Sequence, residues 1–447
     1  MNPSPIYDFV AIGIGPFNLG LACLSAPIDE LKGVFLDKRP SFDWHPGLLF
    51  EDAHLQTPFM SDLVTLADPT SPFSFLNYIK QQGRMYSFYI RENFFLLRNE
   101  YNQYCQWATS KLFNLHFNTE VSHVDYDEQQ QCYVIHCHST LDRTFKTYYA
   151  RKLVLGTGPK PYVPPCCDDW VKDTPSAPMI HASDYLHRKE TLQRQKSITV
   201  VGSGQSAAEI FLDLLQNIEI FGYELSWITR SPRYFPLEYT KLTLEMTSPE
   251  YVDYFYQLPD ATREKLNRDH AHLAKGINGH TINDIFDLLY AKRLVHDIQV
   301  NLLTNSELQQ VTQVSDSDGY QLQFYQNEQK QHYSHTSQAV VLSTGYAYDI
   351  PDFLDGIRHR IRWNQQGQYA VGRYYTIDSQ DCEIFVQNAE QHTHGFVTPD
   401  LGMACYRNSH IIRQLLGREY YPIEKRIAFQ TFAPPQTTDA RPTAVDH

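Results

Sequence analysis

Two glycine clusters carry the residue types that hold phosphate groups. Gly13-Ile14-Gly15-Pro16-Phe17-Asn18 follows an apolar strand pattern from Tyr7 to Ile14 and opens an apolar helix pattern through Leu19, Leu21, Ala22 and Leu24. At such a turn the backbone N–H groups and the positive end of the helix dipole face outward, and glycine removes the Cβ that would block a pyrophosphate. Gly13, Gly15, Pro16 and Asn18 form this cradle, with Asn18 standing where the usual fingerprint has a third glycine. A second strand, Gly33 to Leu36, ends in Asp37, placed to accept hydrogen bonds from a ribose diol. The combination predicts the adenosine half of a flavin cofactor or of NAD.

The same grammar returns at Gly202-Ser203-Gly204-Gln205-Ser206-Ala207, after a strand from Ser197 to Val201. Gly202, Gly204, Gln205 and Ser206 make a second cradle, so two nucleotides are expected. Its companion strand, Leu225 to Thr229, ends in Arg230-Ser231-Pro232-Arg233. Guanidinium groups in place of an acid pair with a 2′-phosphate, which favours NADPH over NADH, although a solvated basic turn carries the same residues. Thr-Gly turns at Gly156-Thr157-Gly158 and Ser343-Thr344-Gly345 follow buried strand patterns where the chain crosses between nucleotide units, with Thr344 and Gly345 close to a dinucleotide.

The elements around these cradles predict an α/β chain with two Rossmann-like dinucleotide-binding domains and a small helical substrate region. Helices are expected at Phe73 to Lys80 and Glu92 to Leu112, antiparallel strands across Leu115 to Cys137, a strand at Lys152 to Leu155, and a linker at Pro159 to Pro165. Strand patterning resumes at Val311 to Tyr325 and again at Ala339 to Leu342. The expected division is 1–165 and 338–432 for the flavin domain, 166–230 and 295–337 for the NADPH domain, 231–294 for the substrate region, and a disordered tail at 433–447. Tyr239, Tyr251, Tyr254, Phe255 and Tyr256 give the substrate region an aromatic character that ordinary packing explains equally well.

Composition narrows the partners. Across 447 residues, 38 Lys and Arg face 51 Asp and Glu, a net charge of -13 that repels nucleic acid and anionic membrane surfaces. No apolar run approaches the ~18 residues of a bilayer helix, and the first residues carry no secretory pattern, so the cytoplasm is the expected compartment. Eight cysteines form no CxxC pair, and neither His392 and His394 nor His270 and His272 has a third ligand in context, so no metal site is expected.

These cradles, together with Trp44-His45-Pro46-Gly47, Leu55-Gln56-Thr57, Asp62-Leu63-Val64, Asp68-Pro69-Thr70-Ser71-Pro72 and His392-Thr393-His394-Gly395, resemble the flavin-dependent N-hydroxylating monooxygenases of siderophore biosynthesis, up to about Arg413. The resemblance implies FAD and NADPH as cofactors and O2 as co-substrate. In such enzymes a primary amine attacks the distal oxygen of a C4a-hydroperoxyflavin, and the hydroxylamine goes on to a hydroxamate siderophore. It also assigns Trp44, His45 and Gln56 to the flavin side, His394 and Gly395 to a C-terminal flavin contact, and Asn278 to the reacting amine, making Asn278 and Gln56 the expected catalytic pair. A homo-oligomer, dimer or tetramer, is implied too.

The substrate follows from one missing charge. In the amino-acid hydroxylases of this family the position of Ser61 is a lysine that grips the substrate carboxylate. Removing one member of such a buried pair costs ~3–5 kcal/mol. An aliphatic diamine is therefore expected, putrescine first and cadaverine or 1,3-diaminopropane next, with Glu238 or Glu245 receiving its distal ammonium. The alternatives are L-lysine N6- or L-ornithine N5-hydroxylation, a flavoprotein disulfide reductase and a non-catalytic flavoprotein. Cys166-Cys167 lack the spacing a reductase needs, and Ile180-His181-Ala182-Ser183 keeps only a remnant of a Baeyer-Villiger fingerprint.

Overall fold

The computed structural model describes residues 5–171, 178–314, 319–380 and 382–434. Its apolar runs assemble into two main sheets. In the first, Ile6–Ile12 lies parallel to Gly33–Leu36 on one side and to Phe145–Leu155 on the other. Phe9, Val10 and Ala11 are fully buried, as a parallel strand covered on both faces requires. Leu115–His116 extends one edge, and Cys132–Ser139 and Thr119–Asp127 form an antiparallel pair beyond Phe145–Leu155. Ile384–Val386 comes back from the far end of the chain to pair with Leu153, Val154 and Leu155.

The second sheet is parallel throughout, in the order Met179–His181, Ala339–Leu342, Ser197–Val201, Glu224–Ile228, Val300–Leu303. Ala339–Leu342 is an inner strand of this sheet, which corrects the boundary expected at 338: the return to the first unit comes after this strand. The linker expected at Pro159 to Pro165 contains the short strand Lys160–Pro161, which pairs with Tyr346–Ala347. The two crossings between units are thus tied to each other. A separate antiparallel sheet of Ser306–Gln313, Tyr320–Gln326 and Gln331–Ser337 flanks the second unit.

The region expected to be one helical insertion divides. Gly279–Val295 packs on Gln205–Gln216 and buries Ile285 among residues of the second core, so it is the crossover helix between two parallel strands. Pro249–Gln257 and Asp260–Asp269 instead pack toward the C-terminal part of the chain, where Tyr251, Val252 and Phe255 share a core with Phe396, Val397 and Met403. The helix expected from Glu92 begins at Arg98, because Phe95–Leu97 is taken by an antiparallel pairing with His54–Pro58. The tail expected at 433–447 lies outside the described residues from 435 onward. Among the described residues no helix is long and apolar enough to cross a membrane.

The C-terminal helix Ala404–Leu416 is fastened to the first cradle. Arg407, fully buried, pairs with Glu390 and lies 4.4 Å from the Phe17 ring centre, while Asn408 Nδ2 donates to the Phe17 carbonyl at 3.1 Å.

Candidate active site

One continuous cleft of about 3850 Å³ runs along both units. A single small-molecule pocket occupies ~300–1,000 Å³, so this cleft has room for two dinucleotides and a substrate. Gly13, Gly15, Pro16, Asn18, Asp37, Trp44, His45, Gln56, Ser61, Gly202, Gly204, Gln205, Ser206, Arg230, Glu238, Thr344 and Gly345 all reach its wall, whereas Ser231, Glu245, Asn278, His394 and Gly395 do not.

The first cradle is built around close approaches. Gly13 has φ +90°, and a side chain there would run into the Gly156 carbonyl, while nothing lies within 4 Å of where a Cβ on Gly15 would stand. The backbone at Gly15 is therefore open to a ligand. Asn18 acts as a strut in the third slot: its Nδ2 donates to the Gly13 carbonyl at 2.7 Å, and its Oδ1 accepts from Gln387 Nε2 at 2.6 Å. It uses the space that Gly156 leaves empty. Asp37 stands at the strand end, but each carboxylate oxygen already takes two donors. Oδ2 accepts from Ile14 N–H at 2.7 Å and Arg39 Nη2 at 2.9 Å, and Oδ1 from Arg39 N–H and Nε at 2.8 and 3.1 Å. Burial opposes its charge, yet these Arg39 and amide contacts outweigh burial and hold the carboxyl below its usual range. Asp37 is thus a buttress of the phosphate turn, and a ribose hydroxyl reaches it only by displacing Arg39.

In the second cradle Gly202 has φ +145°, and a Cβ there would collide with Ser343 O; beside a Cβ on Gly204 only Lys275 O comes near, at 3.6 Å. Arg230 is largely exposed and lies 4.0 Å from Glu307, free to turn toward a phosphate. Ser231 departs from expectation: its Oγ donates to the Arg233 carbonyl at 2.8 Å. Thr344 hydrogen-bonds the Tyr162 carbonyl, and Gly345 O accepts from Tyr162 N–H at 2.9 Å and meets His181 Nε2 at 3.0 Å. Both turns fasten the crossing as well as lining the cleft.

His394 and Gly395 are corrected more strongly. The His394 ring is buried, stacks on Tyr375 at 4.7 Å, and has its nitrogens 3.1 Å from Arg373 O and 2.9 Å from Thr393 Oγ1. Burial pulls its pKa down to about 3. Gly395, with φ +81°, sits under the Phe255 ring. Their role is to shape the turn that presents His392, Thr393 and Phe396 to the cleft.

On the substrate side Gln56 is held from two directions. Its Oε1 accepts from the Tyr239 hydroxyl and, at 3.2 Å, from Asn278 Nδ2. Asn278 is the N-cap of Gly279–Val295, its Oδ1 accepting from His280 N–H at 2.8 Å. With both ends of its carboxamide engaged it supports Gln56 and does not itself face the cleft, so it stands one layer behind the amine position expected for it. Glu245 is corrected for the same kind of reason: it accepts Phe429 N–H, Gln430 N–H and Gln430 Nε2, fastening the segment that crosses the cleft mouth at Ile423 and Ile427. Glu238 lines the cleft and accepts Thr240 N–H at 2.8 Å.

An acid that shares the surroundings of Gly402 with Ser61 is Asp400. A Cβ on Gly402 would stand 3.3 Å from Ser61 Oγ and 3.1 Å from Asp400 Oδ1, and all three residues line the cleft. Asp400 Oδ1 accepts Gly402 N–H at 2.7 Å. Among the described residues no Lys or Arg nitrogen lies within 4 Å of its carboxylate. Burial raises its pKa, the Gly402 amide and distant Arg407 compensating only in part. Asp400 is not among the residues expected from the sequence; the one pointer there is a lone acid after Pro399 in the segment Val397-Thr398-Pro399-Asp400-Leu401-Gly402.

No group of three or more His, Cys, Asp or Glu able to hold a metal occurs among the described residues, and the Cys166 and Cys167 sulfurs are free thiols 3.8 Å apart.

Residues 5–348 match the family model of L-lysine 6-monooxygenase/L-ornithine 5-monooxygenase. The chain is 54% identical over 439 residues to a putrescine N-hydroxylase of Shewanella oneidensis, covering 98% of this chain and 86% of that protein. It superposes with a TM-score of 0.94 on the FAD-bound cadaverine monooxygenase of the desferrioxamine pathway of Erwinia amylovora, at 56% identity over 96% of this chain and 99% of that one. An ornithine N-hydroxylase of Kutzneria sp. 744 with reduced FAD, NADP+ and L-ornithine matches with a TM-score of 0.84, at 25% identity over 92% and 99% of the two chains. With two glycine cradles opening on one cleft, the chain is an FAD- and NADPH-dependent N-hydroxylating enzyme and belongs to the lysine and ornithine monooxygenase family.

Proposed function

We propose that this enzyme hydroxylates one nitrogen of an unsubstituted aliphatic diamine, putrescine first and cadaverine or 1,3-diaminopropane next, and so supplies a hydroxylamine for a hydroxamate siderophore. The observation that carries the reading is the placement of Ser61 and Asp400 together around Gly402 at the cleft wall. A substrate α-carboxylate there would meet a serine and a second carboxylate that pairs with no Lys or Arg among the described residues, an arrangement that repels it. A distal ammonium would meet an acid whose one hydrogen bond comes from the Gly402 amide and which, among the described residues, has no Lys or Arg nitrogen within 4 Å. The names of the relatives in Shewanella and Erwinia support the same choice.

Bound FAD, reduced by NADPH, supplies the oxygen activated from O2. The chain's own part is to orient the amine and keep water away. An alkylammonium has a pKa of ~10.4, so at pH 7.5 only about 0.1% is nucleophilic, equivalent to roughly 4 kcal/mol. The two nitrogens need different treatment: Asp400 favours the charged form of the distal nitrogen, while the Gln56 carboxamide, held by Tyr239 and Asn278, orients the reacting one. Burial first, with the nearby Asp400 charge adding to it, pushes the Tyr239 hydroxyl well up, so it stays a neutral hydrogen-bond donor.

We read the enzyme as cytoplasmic, where NADPH is regenerated, and as a dimer or tetramer. The exposed Tyr86, Tyr89 and Ile90 of the helix Met85–Arg91 support self-association, to be measured by sedimentation. The substrate is tested by hydroxylamine formation from FAD-loaded protein with putrescine, cadaverine, 1,3-diaminopropane, lysine and ornithine. Diamines are expected to be favoured in kcat/KM by two decades or more, about 3 kcal/mol, and efficient lysine or ornithine turnover with inert diamines would overturn the reading.

A further inference from the structure

A ring of side-chain contacts joins the two units behind the substrate position. Arg98 makes two hydrogen bonds to the Glu209 carboxylate, at 2.9 and 2.8 Å, and a third to the Leu48 carbonyl at 2.9 Å. Glu209 lies on the helix Gln205–Gln216 that opens at the second cradle, and its Oε1 also accepts from Gln205 Nε2 at 2.9 Å. Gln205 Oε1 accepts Asn278 N–H at 2.7 Å, and Asn278 Nδ2 reaches Gln56 at 3.2 Å. Gln56 is on the strand His54–Pro58, which pairs with the strand leading straight into Arg98. The ring therefore starts and ends in the first unit and passes through the second.

The Arg98 and Glu209 side chains are only 12% and 10% exposed. A planar guanidinium against a carboxylate in such a setting fixes angle as well as distance. Anything that rotates the second cradle relative to the first must break this pair or drag Gln205 and Asn278 with it, and the last member of the ring, Gln56, faces the cleft.

We propose that Arg98 and Glu209 form the latch that sets the second unit against the first, and that Gln205 and Asn278 transmit its setting to the Gln56 carboxamide. All four are positioning residues: they make one variable of the placement of the nicotinamide cradle and the polar wall of the substrate chamber. With the latch closed, RNH2 + O2 + NADPH + H+ gives RNHOH + H2O + NADP+. With it open, water enters and the same reductant and oxidant give H2O2 and NADP+, with no N–O bond formed.

The test compares the FAD-loaded full chain with Glu209→Gln, Arg98→Lys and the charge-exchanged pair Arg98→Glu with Glu209→Arg. Hydroxylamine and H2O2 per NADPH consumed are measured with putrescine, and backbone hydrogen exchange of segments 50–60 and 275–285 is followed without NADPH. Glu209→Gln and Arg98→Lys are each expected to lower hydroxylamine per NADPH by about fivefold, with H2O2 making up the difference, the rate of NADPH oxidation staying within about twofold. Exchange in 275–285 should rise by about tenfold in the same variants, and the exchanged pair should regain half or more of the lost yield. The exchange readout stands even with a poor substrate, so failure of the diamine reading remains separable from failure of the latch. A yield within about 1.5-fold of the wild type in both single variants, or unchanged exchange, overturns the proposal.

Discussion

Replacing Asp400 by asparagine removes one charge while keeping size and shape. The amide oxygen can still accept Gly402 N–H, now 2.7 Å from Asp400 Oδ1, so the loop keeps its cap. What is lost is the acid facing the cleft beside Ser61. An ammonium about 4 Å from a carboxylate, at an effective dielectric of about 20, gains about 4 kcal/mol. Asp400 is only half-buried, and desolvation of both ions offsets part of this. A net effect of about 2–3 kcal/mol is expected, or roughly 30- to 150-fold in kcat/KM for putrescine. Butylamine, the monoamine of the same chain length, lacks the distal charge and should change by less than about twofold. Acidity gives a second signature. Burial holds the Asp400 carboxyl above its usual value, so diamine affinity is present above that raised pKa and is lost as pH falls through it, at a higher pH than for an ordinary carboxylate; the asparagine variant should lack this limb. Equal losses for putrescine and butylamine, or none for either, would refute the assignment.

Ser61→Lys sets a cation beside Asp400 and should lower putrescine kcat/KM by about tenfold or more, through repulsion and through pairing off the acid; steady-state kinetics decide it. Asn18→Ala leaves the Gly13 carbonyl and Gln387 Nε2 without their partner, which costs about 1–3 kcal/mol and should show as a lower flavin content of the purified protein. Glu245→Ala frees the Phe429 and Gln430 amides, so chymotrypsin should cut within 422–434 faster while putrescine affinity stays within about threefold; a loss as large as that of Asp400→Asn would restore Glu245 to the substrate site. Asp37, held below its usual range by Arg39 and two amides despite burial, stabilises the first cradle above the unfolded carboxyl pKa and loses that contribution as pH falls through the depressed one. Acid unfolding of Asp37→Asn should therefore be flatter than that of the wild type below about pH 4.

Local rules made most of the fold legible. Gly33–Leu36, Ser197–Val201 and Ala339–Leu342 occur at the bounds their apolar runs predict, because a short buried parallel strand needs only β-branched or aromatic residues and a turn at each end. What stayed illegible was partnership. Ala339–Leu342 is as apolar as any strand of the first sheet, and nothing in its residues says which sheet it joins; that depends on where Ser343 meets Gly202, a contact made 141 residues apart in the chain. Pro249–Gln257 and Gly279–Val295 likewise look like neighbours in one helical block, yet Phe255 finds its core with Phe396 and Ile285 with the second unit.

The site divides along the same line. Glycines that cradle phosphate announce themselves, since part of the constraint is the backbone at that residue: Gly13 and Gly202 adopt a positive φ that L side chains rarely take. Acids do not, because a carboxylate is defined by what faces it. Asp37, Glu245 and Asp400 are three similar letters, and the structure sorts them by donors: two on each oxygen of Asp37, three on Glu245, one amide on Asp400. Saturated carboxylates hold the chain together, and a carboxylate raised by burial and facing a cleft is left to find its cation in a ligand. By that criterion Asp400, which no sequence motif singles out, is the acid with most to gain from a diamine, and Glu245, which the sequence presents as a substrate acid, has little.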